Sequence, residues 1–597
     1  MEQSPKIPIV IGETGHRNLV NEDKPLIRER IKTALEGILK RCKSTEPSGE
    51  DTPVIMLNAF AQGADMLCAE VAFELGIDVY ALLPCPKEEY IKSFDDEEDK
   101  AKLFDYLDRA KRLILAPDME QNQEWLTTQG ISKSSYEYRQ LGIYMAEHSH
   151  ILLALWDGKP PKTPFGCGTA EVVNFALDHK YLDREHLFKP CATNDAAVFW
   201  VKVRRQGDGD EADIQTKWLF ARQEARTEIE GSAKKKRKSA SEYDEFFEKM
   251  IKRTVEYNAT PVCLPENQVK LWTEVDELDE YRKTLRYHYR KADAISSRKN
   301  QSFYDLFLKL LAVLGTLVAA AFLFYDDATL PFMILPCTAL LCTVLLLTWM
   351  GQRKKYHANY VRYRSIAEAL RIQFYATMCM SEGEQIITNV CNLYSWTQKV
   401  ERTWTYKAIQ ALAVVAPAGK LDIPTDRVID VWLGNHQKPT GQLRYHRSKL
   451  KKNRDKAKTY DTLSTVFHVA TIVYYFVIFA IEVVALILRS VHVDMFWEHT
   501  AIAHITWRNI GAIGMGLLTA GTLLLSSYWG KLSYARKASD NEKMIEFYAA
   551  ACERWKEAKA CTPQETDKFI REIAREEIVE NGVWCSYVGE NRLEVNI

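Results

Sequence analysis

The sequence predicts an α/β Rossmann-like N-terminal domain with a mostly parallel sheet. It is joined to an α-helical membrane region with four transmembrane helices in two repeated hairpins. Three observations carry this. Short apolar strands alternate with amphipathic helices over about the first 185 residues; four apolar runs are each near the ~20 residues that cross a bilayer; and the order of elements around the first pair of runs recurs around the second.

Ile7 to Ile11 reads as a strand that stops at Gly12, and Pro25 to Leu39 has helical periodicity. Pro53 to Phe60 is a second strand, followed by a helix through Glu74. Ile77 to Leu83, Arg112 to Leu115 and Ile151 to Trp156 are the third, fourth and fifth. Such a sheet is covered on both faces and binds ligands outside the carboxyl ends of its strands. Three loops fall there. Gly12-Glu13-Thr14-Gly15-His16-Arg17 offers two glycines whose N–H groups could approach a phosphate, with Thr14 and Arg17 as donors. Gln62, Gly63 and Asp65 open the second helix. Gly166, Gly168, Thr169 and Glu171 lie in Pro164 to Glu171, which opens the helix after the fifth strand. Tight turns also need glycine, but three such loops at one edge point to nucleotide binding.

The apolar runs lie near 306–325, 330–350, 462–488 and 507–528. Tyr289, Arg298 and Tyr304-Asp305 before the first pair recur at the same spacing as Tyr445, Arg454 and Tyr460-Asp461 before the second. Each copy later carries Phe-Tyr-Ala, at Phe374 to Ala376 and at Phe547 to Ala549. Arg298, Lys299, Arg353, Lys354 and Lys355 bracket the first hairpin, while its turn, Tyr325 to Thr329, has no Lys or Arg. The positive-inside rule therefore puts both ends in the cytoplasm. The second hairpin has the same sign. The start MEQSPKIPIV has no apolar signal core, so the expected location is the inner (plasma) membrane, multi-pass, with both termini cytoplasmic. Thirteen cysteines without paired CxxC spacing fit reduced thiols and no metal site. A net charge of −1 gives no reason to expect nucleic acid as a partner. The basic run 234–238 is a solvated loop or a contact for anionic lipid. Within the spans, Glu482 is a candidate for assembly or conduction, and Thr519, Thr522 and Ser526 share one helical face that either packs or lines a passage.

The resulting plan is a nucleotide-binding domain over 1–205, a charged helical connector over 206–274 and a first hairpin unit over 275–400. A linker over 401–440, a second hairpin unit over 441–560 and a cytoplasmic tail over 561–597 complete it. Ala197 to Val203 is expected as an extra edge strand, and 215–257 as helical.

Gly12-x-Thr14-Gly15-His16-Arg17, Gln62-Gly63-Ala64-Asp65 and Gly166-x-Gly168-Thr169-Ala170-Glu171 together resemble the SLOG superfamily of Rossmann-like domains. That superfamily includes cytokinin-activating nucleoside-monophosphate hydrolases, DNA-processing A proteins and sensors of nucleotide-derived signals. Its hydrolytic members carry Pro-Gly-Gly-x-Gly-Thr-x-x-Glu with the last glutamate catalytic. Here Phe165 replaces the first glycine and Val172 stands at the glutamate position, so the resemblance implies ligand binding with no catalytic residue. A charged helix, two spans and a long helix with Arg364, Glu368 and Arg371 are similar to the SLATT domains of bacterial conflict systems. The two resemblances imply a membrane effector of antiviral defence. It would have no cofactor, would bind a nucleotide second messenger (a cyclic oligonucleotide or an ADP-ribose derivative) and would permeabilise the lipid bilayer as a homo-oligomer. The alternatives are a membrane-anchored nucleotide hydrolase, with Glu171 or Glu13 as acid or base, and a nucleotide-gated ion channel.

Overall fold

Buried apolar strands build the N-terminal part. The computed structural model describes residues 4–44, 51–161, 165–178, 197–207, 214–220, 241–262, 264, 271–326, 331–380, 402–419, 421–435, 440–502, 505–560 and 562–590. The basic run 234–238, Pro164, Pro439 and residues 327–329 of the first hairpin's turn lie outside them. Strands β1 (Ile9–Gly15), β2 (Val54–Asn58), β3 (Asp78–Leu83), β4 (Arg112–Leu115), β5 (Ile151–Trp156), β6 (Ala197–Lys202) and β7 (Thr216–Phe220) form one sheet of order β4-β3-β2-β1-β5-β6-β7. All neighbours are parallel except β6 and β7. Helices α1 (Lys24–Arg41) and α2 (Ala64–Glu74) pack on each other and α2 on β1; α4 (Lys133–His148) and α5 (Thr169–Asp178) do the same from the opposite face, and α3 (Glu97–Arg109) precedes β4.

Two local expectations are corrected here. β1 does not stop at Gly12: Gly12 pairs with Leu57 and Leu152, and Gly15 with Leu155, so partners on both edges offset the entropy cost of glycine in a strand. Ala197–Lys202 is not the edge. Thr216–Phe220, expected as helix, is an antiparallel strand outside it, since its β-branched and aromatic residues stack across the pair, with Phe199 and Trp218 rings 5.0 Å apart.

The chain divides into two compact units, each assembled from separated segments. Unit 1 comprises 1–291, 365–423 and 567–583, and unit 2 comprises 292–364, 424–566 and 584–597. Both therefore cut across the boundaries read from sequence. The reason is clearest at the expected linker, where α11 (Arg402–Val415) is a core helix of unit 1. Trp404, Ala408, Ile409 and Leu412 are buried, and α11 packs on α4 and on α6 (Ser241–Ala259). Lys407 is also buried, and its ammonium donates to the carbonyls of Glu147 (2.7 Å) and Ser149 (2.8 Å). It thus caps the carboxyl end of α4, where the helix dipole favours a cation. Trp404 is 1% exposed and donates to Thr254 at 3.1 Å. Trp404→Ala should cost about 3–5 kcal/mol, read in a denaturant titration followed by circular dichroism. An effect below about 1 kcal/mol would return α11 to the status of a connector.

Unit 2 holds the short helix α12 (Thr425–Trp432), and its apolar helices are α8 (Ser302–Asp326), α9 (Ile334–Lys354), α13 (Gly441–Ser490) and α14 (Trp507–Leu532). Among the described residues three helices are long and apolar enough to cross a membrane: Glu280–Asp326, Gly441–Ser490 and Trp507–Ser526. Ile334–Met350 is a shorter apolar helix. The first joins α7 (Glu280–Ala294) to α8 through a π-helical turn, Ile295–Gln301. Their flanks are greasy and open: Phe476 is 70% exposed and Phe479 67%. Water would penalise such surface, whereas lipid would not. α8 packs on α9 and α14, and α14 on α13. Small residues permit this, for a Cβ on Gly514 would overlap Tyr474 and one on Gly516 would overlap Leu323.

The sequence repeat is visible as a repeated joint. After α9, Lys355 has φ +51°, and α10 (Tyr356–Cys379) begins; after α14, Ser533 has φ +47°, and α15 (Tyr534–Ala558) begins. In each case the tyrosine past the joint stacks on an aromatic ring in the first apolar helix of its pair, α8 or α13. Tyr356 lies on Phe303 at 5.5 Å and Tyr534 on Tyr460 at 5.4 Å. A last helix, α16 (Pro563–Glu590), contributes to both units.

Candidate functional site

The strand order reverses between β1 and β5, and in doubly wound sheets ligands bind at such a switch, outside the carboxyl ends. The loops after β1, β2 and β5 all end there. The first two lock together. Gly63 has φ +84°, and a Cβ on it would overlap the Arg17 carbonyl, so only glycine allows the contact. Ala64 N–H donates to the His16 carbonyl at 3.2 Å. The His16 ring then reaches the third loop, with Nε2 3.1 Å from Asp157 Oδ1.

Beneath this junction lies a pair of carboxyl groups. Glu13 is 1% exposed, and Asn58 Nδ2 donates both to Glu13 Oε2 (3.2 Å) and to the Asp65 carbonyl (2.9 Å). Asp65 Oδ2 accepts from Ala61 N–H at 3.4 Å. Burial pushes the Glu13 carboxyl well up, and the neighbouring Asp65 pushes it further. Burial likewise raises Asp65, to about 7, against the opposing pull of Glu13, Ala61 N–H and Arg17. Two carboxyls so placed hold a proton between them near neutral pH.

Arg17 is the exposed cation above them. It donates to Tyr138 Oη at 3.3 Å, its guanidinium lies 5.7 Å from that ring's centre, and Asp65 and Tyr90 are within electrostatic range. Tyr90 is itself fixed by donating to the Ala59 carbonyl at 2.9 Å. The third loop is held from α4: Arg139 donates to the Gly166 carbonyl at 3.3 Å and bridges Glu120 through 2.9 and 2.8 Å contacts, both side chains buried. Phe165 of that loop has φ +62°, and its ring meets Trp125 edge-on at 5.4 Å. The Cys167 thiol is raised by burial and by Glu171, while Ser135, Arg139 and Arg17 act in the other direction, which places the first and third loops side by side.

Several expected ligand residues have other work. Gly12 lies within β1, where a Cβ would overlap Ser149, and Gly15 lies against Ala64; their small size serves helix packing. Thr14 is buried in the same strand. Gln62 donates to Asp99 of α3 at 2.7 Å. Thr169 opens α5, and Glu171 Oε2 accepts from Gly168 N–H at 3.0 Å, a capping contact within its own helix end. Val172 is 5% exposed and packs against Gly142 of α4. His16, Arg17, Gly63, Asp65, Gly166, Gly168 and Glu171 are the residues brought together at the switch. Asn58, Tyr90, Tyr138, Arg139 and Glu120 were not foreseen. Applying the carboxyl-end rule to β3, whose following turn carries Tyr90, and to the start of α4 would have found the aromatic pair.

The membrane candidates are also engaged. Glu482 Oε1 accepts from Trp497 Nε1 (3.1 Å) and Arg508 Nε (2.8 Å), so it is paired at the turn of the second hairpin. Thr522 pairs with Thr471 (3.1 Å) and Thr519 with Tyr475 (2.9 Å) across the α13–α14 seam, while Ser526 is exposed. Among the described residues no group of three or more His, Cys, Asp or Glu side chains is arranged to hold a metal ion. Comparison with family models and with curated proteins finds no match to this chain.

Proposed function

We propose that this protein is a membrane effector of bacterial antiviral defence, in which a SLOG-like domain senses a nucleotide-derived second messenger and SLATT-like hairpins permeabilise the inner membrane. The observation that carries this reading is the meeting of three loops at the β1/β5 switch with the Arg17 guanidinium above two buried carboxyls. Such a surface suits a ligand with a phosphate for Arg17, while the buried carboxyls beneath fix the loops that carry it. α9 serves as the fourth span, subunits associate to enclose a passage, and both termini stay in the cytoplasm. α4 is the natural transmitter, since Tyr138 and Arg139 stand at the ligand side and its carboxyl end is gripped by Lys407 of α11. A ligand shifts such an arrangement only through its different affinity for the two states.

The test is dye release from vesicles holding the purified protein, on addition of cyclic oligonucleotides or ADP-ribose. One of these should release dye, and Arg17→Ala should weaken its binding about 10- to 100-fold, the worth of a charged hydrogen bond. Vesicles that stay sealed, or unchanged binding by the variant, would reject the reading. The buried Glu13–Asp65 pair favours one alternative, a nucleotide hydrolase with Glu13 as acid. Product formation that is lost in Glu13→Gln would select it instead.

A further inference from the structure

At the foot of the apolar helices of unit 2, lysines outnumber the carboxylate they surround. Asp305, in the first turn of α8, has Lys537, Lys309 and Lys456 as its charged neighbours. Lys456 and Lys537 are half-buried on opposite helices, and both approach the same ring. Their ammonium groups lie 4.9 and 5.4 Å from the centre of Tyr534, and Lys456 Nζ is 3.4 Å from its hydroxyl. Lys449 is also within electrostatic range of Lys537. Arg364, close to Lys449, is matched by Asp293 at 2.8 Å. Three ammonium groups thus face Asp305, an excess of two positive charges. Burial and the neighbouring lysines make the charged form of Lys537 harder to hold, in spite of Asp305. An anion would relieve this.

The height of the cluster says which anion. Lys456 is six residues before the apolar run that begins near residue 462, or about 9 Å along a helix. A lysine stem covers most of that distance, and the headgroup layer is roughly 5–8 Å deep on each side. Tyr460 and Tyr534, stacked against each other, are the residues that favour this boundary. We propose that Lys456, Lys537 and Lys309 hold the phosphate of an anionic phospholipid headgroup at the cytoplasmic foot of unit 2. The proposal rests on the membrane reading above. A lipid so bound ties α8, α13 and α15 together at the joint after Ser533.

The test uses the full-length protein in a neutral detergent, titrated separately with short-chain phosphatidylglycerol, phosphatidylcholine and inorganic phosphate, with bound lipid counted by native mass spectrometry. Wild type should prefer phosphatidylglycerol. The double variant Lys456→Gln/Lys537→Gln should weaken it about 25-fold, at about fivefold per lysine. Lys456→Arg/Lys537→Arg should restore it, and Asp305→Asn should tighten it about fivefold. Equal binding of the two lipids by wild type, or no loss in the glutamine variant, overturns the site. Displacement of phosphatidylglycerol by equimolar inorganic phosphate assigns the cluster to free phosphate and overturns the lipid. Extraction of the native membranes with alkaline carbonate tests the premise separately, since release of the protein would remove the membrane reading whatever the titrations give.

Discussion

Arg139→Met should destabilise unit 1 by about 3–5 kcal/mol and weaken the proposed ligand binding with it. The side chains of Arg139 and Glu120 are 3% and 0% exposed, so removing the guanidinium leaves a carboxylate uncompensated in the interior. The loss spreads, because Glu120 also accepts from Gln140, whose own Oε1 accepts from Met119 N–H (2.9 Å) and Glu120 N–H (3.1 Å). Arg139 further holds Gly166 and lies 4.9 Å from the Phe175 ring, so the loop after β5 should come loose as well. The check is a denaturant titration of the single variant and of Arg139→Met/Glu120→Leu. Taking away both charges should recover a substantial part of the loss, because a buried pair is worth far less than the penalty for half of it. If the single change costs less than 1 kcal/mol, or the double variant is simply the sum, the two groups do not form a fixed buried pair.

The second large effect is on pH dependence. The Asp65 carboxyl is raised to about 7 in the folded protein, so the native state binds a proton more tightly than the unfolded chain. Its favourable contribution is complete below about pH 4, where both states are protonated, and is lost as pH rises through 7. The rise to about 7 corresponds to at most about 4 kcal/mol, with Glu13 sharing the titration. Asp65→Asn removes the titrating group and keeps the shape. Its stability relative to wild type should therefore rise from pH 5 to pH 7 and then level off. Unfolding midpoints measured between pH 5 and 8 decide this, and parallel curves for the two proteins would mean that Asp65 ionises as freely folded as unfolded.

Much of the fold was legible because it follows from local pattern. Ile151–Trp156 is a run of six apolar residues, and a run of that kind has few options other than a buried parallel strand. The apolar helices of unit 2 were legible for the same reason, as charge and hydropathy repeat in order. What sequence could not disclose was which neighbour a residue would meet. Gly12 and Gly15 look like a phosphate loop, yet their lack of a side chain is needed by Ser149 and Ala64, both distant in the chain. Glu171 sits where a ligand contact was expected, but the Gly168 N–H at its own helix end is the nearer demand. The prolines of 401–440 point to a linker, while the decisive residues, Trp404, Ile409 and Leu412, come before them. Thr519 and Thr522 form a polar stripe whose partners, Tyr475 and Thr471, lie on a helix that sequence alone does not dock.

The division of unit 1 among three segments bears on how the protein is made. Residues 365–423 follow the first hairpin, and 567–583 follow the second. During synthesis, the sheet emerges long before the helices that complete its core, and the apolar hairpins emerge in between. Trp404 and Ile409 are fully covered in the finished unit, so the surfaces awaiting them stay uncovered on the nascent chain until the first hairpin has been made, and those awaiting 567–583 until both have. Maturation of unit 1 is thereby coupled to completion of the apolar helices, and a chain arrested after the first hairpin would be left with an unfinished core, a ready substrate for chaperones and proteases. Quality control would then reach an unfinished unit 1 before a chain carrying only part of its apolar helices could accumulate.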